Sequence, residues 1–407
     1  MKSSVFSRYP ATIWVRIVGT ILSKICEFMI VSFMGFYLYE KLGQNIASSA
    51  FIATLGPLTG IVFGTIGAGL SDRFGRKPIM VIGISVQALT FFGYIFADNY
   101  FQFIGLSIFG GLAPALYWPS ANAQIADLID EKRRGEVYAL MHSAINAGAA
   151  FGPLLGLAAY RTNPKMAFAL AAAGLLIYAA LLFFKTVESA PFLKIRSERQ
   201  KKKALAHFFD FFRFPNSKTL FLLTLFTIPV GVLYSQCSLI LPLHLKKNFT
   251  NYHEVFAWLV SFNGLCCMLF SVPVQKIFNS YKINRVVLWA YLLLGATALG
   301  YGFSFTIPLI FITEFIFTLG EMMNGPQIQR LVALIAEPQL RARFFTINSM
   351  SWNVSGVFGP NLAAYFFNKI GGEGWFTILG IVIFIAGIGQ FFLIRFALKT
   401  KLPIQSV

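Results

Sequence analysis

Long apolar runs separated by short polar segments dominate this chain of 407 residues. A transmembrane helix needs about 20 consecutive apolar residues, and twelve runs of about this length are present. The first run carries charged residues and lacks a small-residue cleavage site, so we expect it to remain in the mature protein. The pattern predicts an all-α membrane protein with twelve transmembrane helices. They cover residues 12–39, 48–70, 79–97, 101–126, 137–160, 165–186, 219–245, 254–278, 286–304, 307–329, 344–368 and 374–396.

Composition and charge placement agree with this prediction. Only 12% of the residues are charged, whereas soluble domains contain about 25%. With both termini in the cytoplasm, 25 of the 34 Lys and Arg residues lie inside, six lie outside and three lie within spans. This positive-inside distribution predicts a multi-pass protein of the inner (plasma) membrane with cytoplasmic termini. An anionic membrane surface thus accounts for the net charge of +18, and we expect no nucleic-acid partner.

The chain repeats itself after 207 residues. This displacement superposes Phe151-Gly152-Pro153 on Phe358-Gly359-Pro360, and it also pairs Asn146 with Asn353 and Pro119 with Pro326. Two parallel repeats of six helices are a transporter architecture. We therefore expect an N-terminal bundle at 1–186, a basic cytoplasmic linker at 187–218 and a C-terminal bundle at 219–407.

A charged turn separates the second and third runs. Gly75 permits a left-handed backbone there, and Pro78 suits the first turn of the following helix. The charges could act simply as a positive-inside anchor. Their order, however, resembles the cytoplasmic signature of the major facilitator superfamily, and the resemblance covers essentially the whole chain. The residues that carry it are Asp72, Arg73, Gly75, Arg76 and Lys77.

Small residues recur along the fifth run. Gly148, Gly152 and Gly156 form one smooth helix face, and Pro153 weakens the backbone ladder beside it. A packing seam for another helix is sufficient to explain the spacing. The stretch also resembles the antiporter signature of drug exporters in the superfamily, which implies export.

The fourth run departs from related antiporters, which often carry an arginine where this chain has Leu106 and Ser107. The segment after it resembles the corresponding loop of bacterial multidrug transporters. In that family, the arginines and acids of this loop form a cytoplasmic latch. The resemblance implies a conformational switch that includes Asp127 and Arg134, with Arg76 close to Asp127.

Acidic residues within the runs are candidates for proton or substrate binding, because an ionisable group inside a membrane is costly. Glu27 lies one turn from Lys24, so the two could simply neutralise each other. Glu314 and Glu321 lie on one helix face, about 10 Å apart. Counted from the outer end of the span, Glu314 is nearer the outside, and we expect it to be the better hydrated of the two.

Glu321 carries a further resemblance. Thr318-Leu319-Gly320-Glu321 resembles the tenth helix of bacterial multidrug proton antiporters, where the matching acid contacts lipophilic cations. A structural hydrogen bond to a neighbouring helix is the alternative role for this carboxyl.

These features predict a monomeric, proton-coupled exporter of lipophilic, cationic small molecules that works by alternating access in the bilayer, without ATP, cofactor or metal. The alternative is a facilitator-superfamily transporter of a sugar, metabolite or lipid-linked glycan. A membrane enzyme is not expected, because the four histidines are scattered and form no catalytic cluster. A non-transporting sensor is a further alternative.

Overall fold

The computed structural model describes residues 9–189, 216–237, 239–336 and 341–401, and every regular element in these ranges is an α-helix. Most of the predicted linker, residues 190–215, lies outside the described residues. The helices are α1 (Ala11–Lys41), α2 (Ile46–Phe74), α3 (Arg76–Tyr94), α4 (Tyr100–Leu128), α5 (Glu131–Thr162), α6 (Pro164–Lys185), α7 (Ser217–Gln236), α8 (Ile240–Asn248), α9 (Tyr252–Phe278), α10 (Ile283–Phe303), α11 (Ile307–Ile335) and α12 (Arg341–Lys401).

Ten of the described helices are long and apolar enough to cross a membrane, with α12 counted once. Gly371 has a non-helical backbone with φ 75° and ψ 178°, and it divides α12 into two arms that contain the last two predicted runs. The helix α5 is not among the ten, since polar residues such as His142 and Asn146 interrupt its apolar run. The predicted run 219–245 is divided between α7 and α8.

Side-chain caps fix several of the short connections. Asn45 accepts a hydrogen bond from the backbone of Ser48 at the start of α2, at 3.0 Å. Asn99 and Gln102 form a reciprocal capping box at the start of α4. Such caps satisfy backbone donors that have no partner within the helix. These caps therefore fix the residues at which α2 and α4 begin.

The chain forms two compact units. Unit 1 comprises Met1–Ile195 and Leu245–Met268, and unit 2 comprises Arg196–His244 and Leu269–Val407. They differ from the two predicted halves chiefly in the segment Leu245–Met268, which clusters with unit 1. Within unit 1 this segment pairs with α5 through Arg161 and Glu254, and it packs closely on α5 at Gly264.

Within unit 1, α1 packs on α5 and α6, while α4 packs on α2 and α3. An aromatic core holds this arrangement: the ring of Tyr37 lies 5.0 Å from that of Phe168 and 6.0 Å from that of Phe103. Within unit 2, α7 packs on α12, and α10 packs on α11 and α12.

The 207-residue repeat is visible in the helix packing. A Cβ atom at Gly152 of α5 would lie only 2.7 Å from Phe28 Cβ and 2.8 Å from Ile25 O of α1. In unit 2, the counterparts that lie 207 residues later face each other in the same way: Gly359, Ser235 and Val232. The repeat predicted from the fourth and fifth runs therefore extends to the first helix of each half.

Candidate functional site

The polar face of α1 carries an ion pair. Lys24 Nζ lies 2.6 Å from Glu27 Oε2, and the Lys24 side chain is only 12% exposed. The same ammonium lies 5.1 Å from the centre of the Trp118 ring on α4, within the range of a cation–π interaction. The contact expected from the spacing of Lys24 and Glu27 is therefore present, and α4 contributes an aromatic partner.

This ion pair lines a cavity of about 80 Å³ within unit 1. Three helices form the cavity, and its wall combines hydroxyl, amide, charged and apolar groups. Tyr117, one of the lining residues, shares a 2.7 Å hydrogen bond with Tyr178 of α6, which fixes its ring. The lining residues are Thr20, Ser23, Lys24, Glu27, Ile84, Gln87, Pro114, Tyr117 and Trp118.

A second cation lies on α1, one turn before Thr20. Arg16 is only 2% exposed, and its Nη1 donates a hydrogen bond to the carbonyl of Ala121 on α4. Its Nε has no hydrogen-bond partner among the described residues. The sequence located Arg16 within a span, but no local pattern indicated which groups would surround it.

The predicted glycine face of α5 packs against the part of α1 that carries these charges. Gly148 faces the backbone of Lys24, and a Cβ at Gly156 would lie 2.5 Å from Met29 O. Both Gly152 and Pro153 are buried. The structure thus confirms the close helix approach that the spacing predicts.

The acids of α11 differ from the expectation in one respect. Glu314 is 5% exposed and accepts a 2.7 Å hydrogen bond from the hydroxyl of Tyr301 on α10. Glu321, seven residues later, is only partly buried. The prediction that Glu314 is the better hydrated acid is therefore wrong, because α10 packs over Glu314 whatever its depth along the helix axis.

The charged turn between α2 and α3 forms a network. Gly75 adopts φ 101° and ψ 157°, as the sequence suggested, and ends α2. Arg76 pairs with Asp72, and its Nε lies 3.4 Å from Asp127 Oδ2 at the end of α4. The predicted proximity of Arg76 and Asp127 is thus observed.

The remaining predicted switch residues lie around this network. Arg134 Nη2 donates to Ala126 O at 2.7 Å and its Nε to Ile129 O at 2.9 Å, so it satisfies carbonyls at the end of α4. Lys77 lies over the ring of Phe183, at 5.4 Å, while Arg73 lies over that of its neighbour Phe74, at 5.1 Å.

Glu188 joins the same network, although the sequence analysis assigned it only to the linker. Its carboxylate accepts the backbone N–H groups of Arg76 at 2.8 Å and Lys77 at 3.1 Å. It therefore caps α3 where the helix dipole favours negative charge. Its position as the first acid after α6 is the only sequence signal that could have indicated this role.

Comparison with known proteins agrees with this architecture. Residues 17–249 and 223–406 each match the Major Facilitator Superfamily, so the chain belongs to that superfamily. A crystal structure of a POT family transporter in complex with 5-aminolevulinic acid superposes with a TM-score of 0.82, at 15% identity, over 96% of this chain and 97% of that one. The prediction of an all-α membrane protein with two repeats in the major facilitator fold is confirmed, and the protein is a membrane transporter.

Several curated bacterial proteins are similar over nearly the whole chain. The uncharacterized MFS-type transporter YhjO of Bacillus subtilis is 28% identical, over 95% of this chain and 94% of its own length. A Na(+), Li(+), K(+)/H(+) antiporter of Planococcus maritimus is 24% identical, over 92% and 93%. Multidrug resistance protein MdtH of Aeromonas hydrophila is 23% identical, over 91% and 92%.

Proposed function

We propose that this transporter exports lipophilic, cationic small molecules in exchange for protons, by alternating access. The observation that carries the proposal is the buried carboxyl group of Glu314. It belongs to α11, a helix long and apolar enough to span the membrane. Its hydrogen-bond partner among the described residues is the neutral hydroxyl of Tyr301. No described basic side chain forms an ion pair with it.

The surroundings of Glu314 suit a site that binds and releases a proton. A charge at the centre of a bilayer costs at least about 2.5 kcal/mol on insertion scales, and burial without a counter-ion favours the neutral form of a carboxyl. Proton release then requires either access to water or the arrival of a positive charge. An imported proton and an exported cation can thus alternate at the same acidic helix.

Glu321 is the group that we assign to the cation. It is more accessible than Glu314 and lies two turns away on the same helix. Two nearby carboxyls resist being ionised together, so the negative charge of Glu321 opposes deprotonation of Glu314. A cation bound at Glu321 offsets that charge. By linkage, the cation must favour proton release by the same free energy with which deprotonation strengthens cation binding.

Two of the relatives support parts of this proposal. One has a name that specifies exchange of cations for protons, and another has a name that specifies multidrug resistance. They also define a rival in which Na⁺ or K⁺ is the exported cation. A transporter of sugars, metabolites or lipid-linked glycans is the remaining alternative within the superfamily.

Proton movement in proteoliposomes tests the proposal. A pH-sensitive dye in the lumen should report proton flux when tetraphenylphosphonium is added to wild-type protein. Glu314→Gln should reduce this flux at least tenfold, and Glu321→Gln should weaken binding of the cation. Asp98→Asn, the same change at an exposed loop carboxyl, is the matched control and should leave the flux unchanged.

Each outcome separates the alternatives. Flux with Na⁺ or K⁺ and none with tetraphenylphosphonium would identify the inorganic-cation rival. Wild-type flux in Glu314→Gln would show that another acid carries the proton, while no flux with any cation would reject cation exchange altogether.

We also place both termini on the cytoplasmic side of the inner membrane, and we propose that the transporter acts as a monomer. The positive-inside distribution supports the orientation. Cysteines introduced at Ser197 and Asn251 in a cysteine-depleted background should react from opposite sides of the membrane. Labelling of both from the outside would refute this topology.

A further inference from the structure

Lys24 and Glu27 are the charged residues among those that line the cavity in unit 1. Arg16 does not line it, but it is a second buried cation of α1, one turn before the lining residue Thr20. Arg16 donates to a carbonyl, and no described acidic side chain lies within ion-pair distance of it. An excess positive charge in a poorly hydrated region costs free energy unless an anion compensates it.

Lys24 retains capacity for a second anionic partner. An ammonium group has three N–H donors, and Glu27 accepts the one hydrogen bond that Lys24 makes among the described residues. The face of Trp118 occupies another side of the group without accepting a strong hydrogen bond. A second carboxylate can therefore bind Lys24 while Glu27 stays in place.

The remainder of the wall suits a carboxylate attached to an apolar body. Gln87, Thr20 and Ser23 supply neutral polar groups, while Trp118 and Pro114 supply apolar surface. One water needs roughly 10–15 Å³ of cavity volume, so a cavity of about 80 Å³ holds several waters. It accommodates the charged end of an organic acid better than a whole drug-sized molecule.

We propose that this cavity binds the carboxylate of amphiphilic aromatic acids, with Lys24 as the counter-ion, Arg16 as a second source of positive potential and Trp118 as the surface for the ring. The inference rests on the proposed transport function and narrows its substrates: amines that also bear a carboxylate should be preferred over purely cationic compounds at this position.

Binding of matched ligands to the purified full-length protein tests the inference. 2-Naphthoate and 2-naphthamide have nearly the same shape and differ in charge. By isothermal titration calorimetry, the wild type should bind naphthoate about tenfold more tightly than naphthamide. Lys24→Gln should remove this preference, Lys24→Arg should retain most of it, and Trp118→Leu should weaken both ligands alike.

Further variants keep the result interpretable. Lys24→Gln leaves Glu27 without its partner, so the double variant Lys24→Gln/Glu27→Gln supplies a cavity without that charge imbalance, and it should also lack the preference. Lys41→Gln removes an exposed lysine from the same helix and should leave the affinities for both ligands unchanged. Equal affinity of the wild type for the two ligands, or an undiminished preference in the double variant, would overturn the inference.

The failure of this inference and that of proton exchange are distinguishable. Glu314→Gln should lose proton flux with tetraphenylphosphonium and still prefer naphthoate. A protein that couples protons to cation movement but binds acid and amide equally would refute only the role of the cavity.

Discussion

Units 1 and 2 share one packing plan and differ in where they carry ionisable groups. In unit 1, the hydroxyl of Tyr94 lies 3.2 Å from Ser107 Oγ. The residues 207 positions later, Tyr301 and Glu314, make the same pair with a carboxyl in place of the hydroxyl. The position of Ser107 is thus occupied by a buried acid in unit 2.

At the first helix of each unit, the charged residues lie in unit 1 and their counterparts in unit 2 are uncharged. Lys24 of α1 faces Gly148, and its counterpart 207 residues later is Gly231 of α7, which faces Ser355. Glu27 likewise has Tyr234 as its counterpart. The helix packing is repeated and the charges are not, as expected if the proposed chemistry of transport depends on these departures from symmetry.

Replacing Glu314 of unit 2 by the residue at the matching position of unit 1 should have the largest effect on transport. Glu314→Ser restores the residue found at position 107 and leaves Tyr301 a hydroxyl partner. We expect proton-coupled flux to fall at least tenfold in proteoliposomes, since the titrating group is gone, while the protein still folds. The reciprocal change Ser107→Glu should cost about 1–3 kcal/mol of stability, because it buries a carboxyl where the fold holds a small hydroxyl. Unchanged flux in Glu314→Ser would break the link between asymmetry and coupling.

The charged turn provides the next comparison. The counterpart of Asp72 in unit 2 is Asn279, so Asp72→Asn makes the two turns alike at this position. The variant loses the carboxylate that pairs with Arg76, and we expect the transport rate to fall several-fold with ligand affinity unchanged, since a conformational switch acts on rates. Initial rates and equilibrium binding measured on the same preparation separate the two effects. A normal rate would exclude a role for this residue as a switch.

The two glycine seams should differ in their tolerance of a methyl group. Gly152→Ala brings a Cβ against the α1 backbone, 2.8 Å from Ile25 O, and should cost about 1–3 kcal/mol through overpacking. Gly359→Ala meets mainly the Ser235 hydroxyl, which can rotate away if it gives up its hydrogen bond to Val232 O, and should cost about 1 kcal/mol. Thermal unfolding in detergent compares them, and equal losses would mean that the repeat constrains both seams alike.

The smallest effect is expected at an ion pair found only in unit 1. The ammonium of Lys41 donates to Asp98 and holds the pKa of that exposed carboxyl below its usual value; the residues 207 positions later, Asn248 and Phe305, carry no charge. A depressed pKa in the folded state contributes stability above the pKa of the unfolded chain, and this contribution is lost as the pH falls through the folded value. Asp98→Asn should therefore lower the melting temperature slightly at neutral pH and not at all in acid. A larger loss in acid would contradict this assignment.

The length of the apolar runs predicted the helices, and local spacing predicted the Lys24–Glu27 pair, since both depend on neighbours along the chain. The resemblance to known transporters supplied the proximity of Arg76 and Asp127. The hydration of Glu314 was mispredicted because position along a helix does not reveal which neighbour covers it. Tyr301 could have been found from the repeat, because Tyr94 occupies the matching position in the first half.

The packing of α1 against α5 has a consequence for biogenesis. Lys24 reaches the ribosome exit long before its neighbour Gly148, since 124 residues separate them in the chain. At synthesis rates of roughly 5–20 residues per second, about 6–25 s pass between the synthesis of Lys24 and that of Gly148, so α1 is without α5 for at least that time. Throughout that interval the intrahelical pair with Glu27 can neutralise the Lys24 charge without any other helix. The three-residue spacing of the pair thus gives the nascent first helix a nearly uncharged centre from the start of insertion, well before the cavity that it later lines exists.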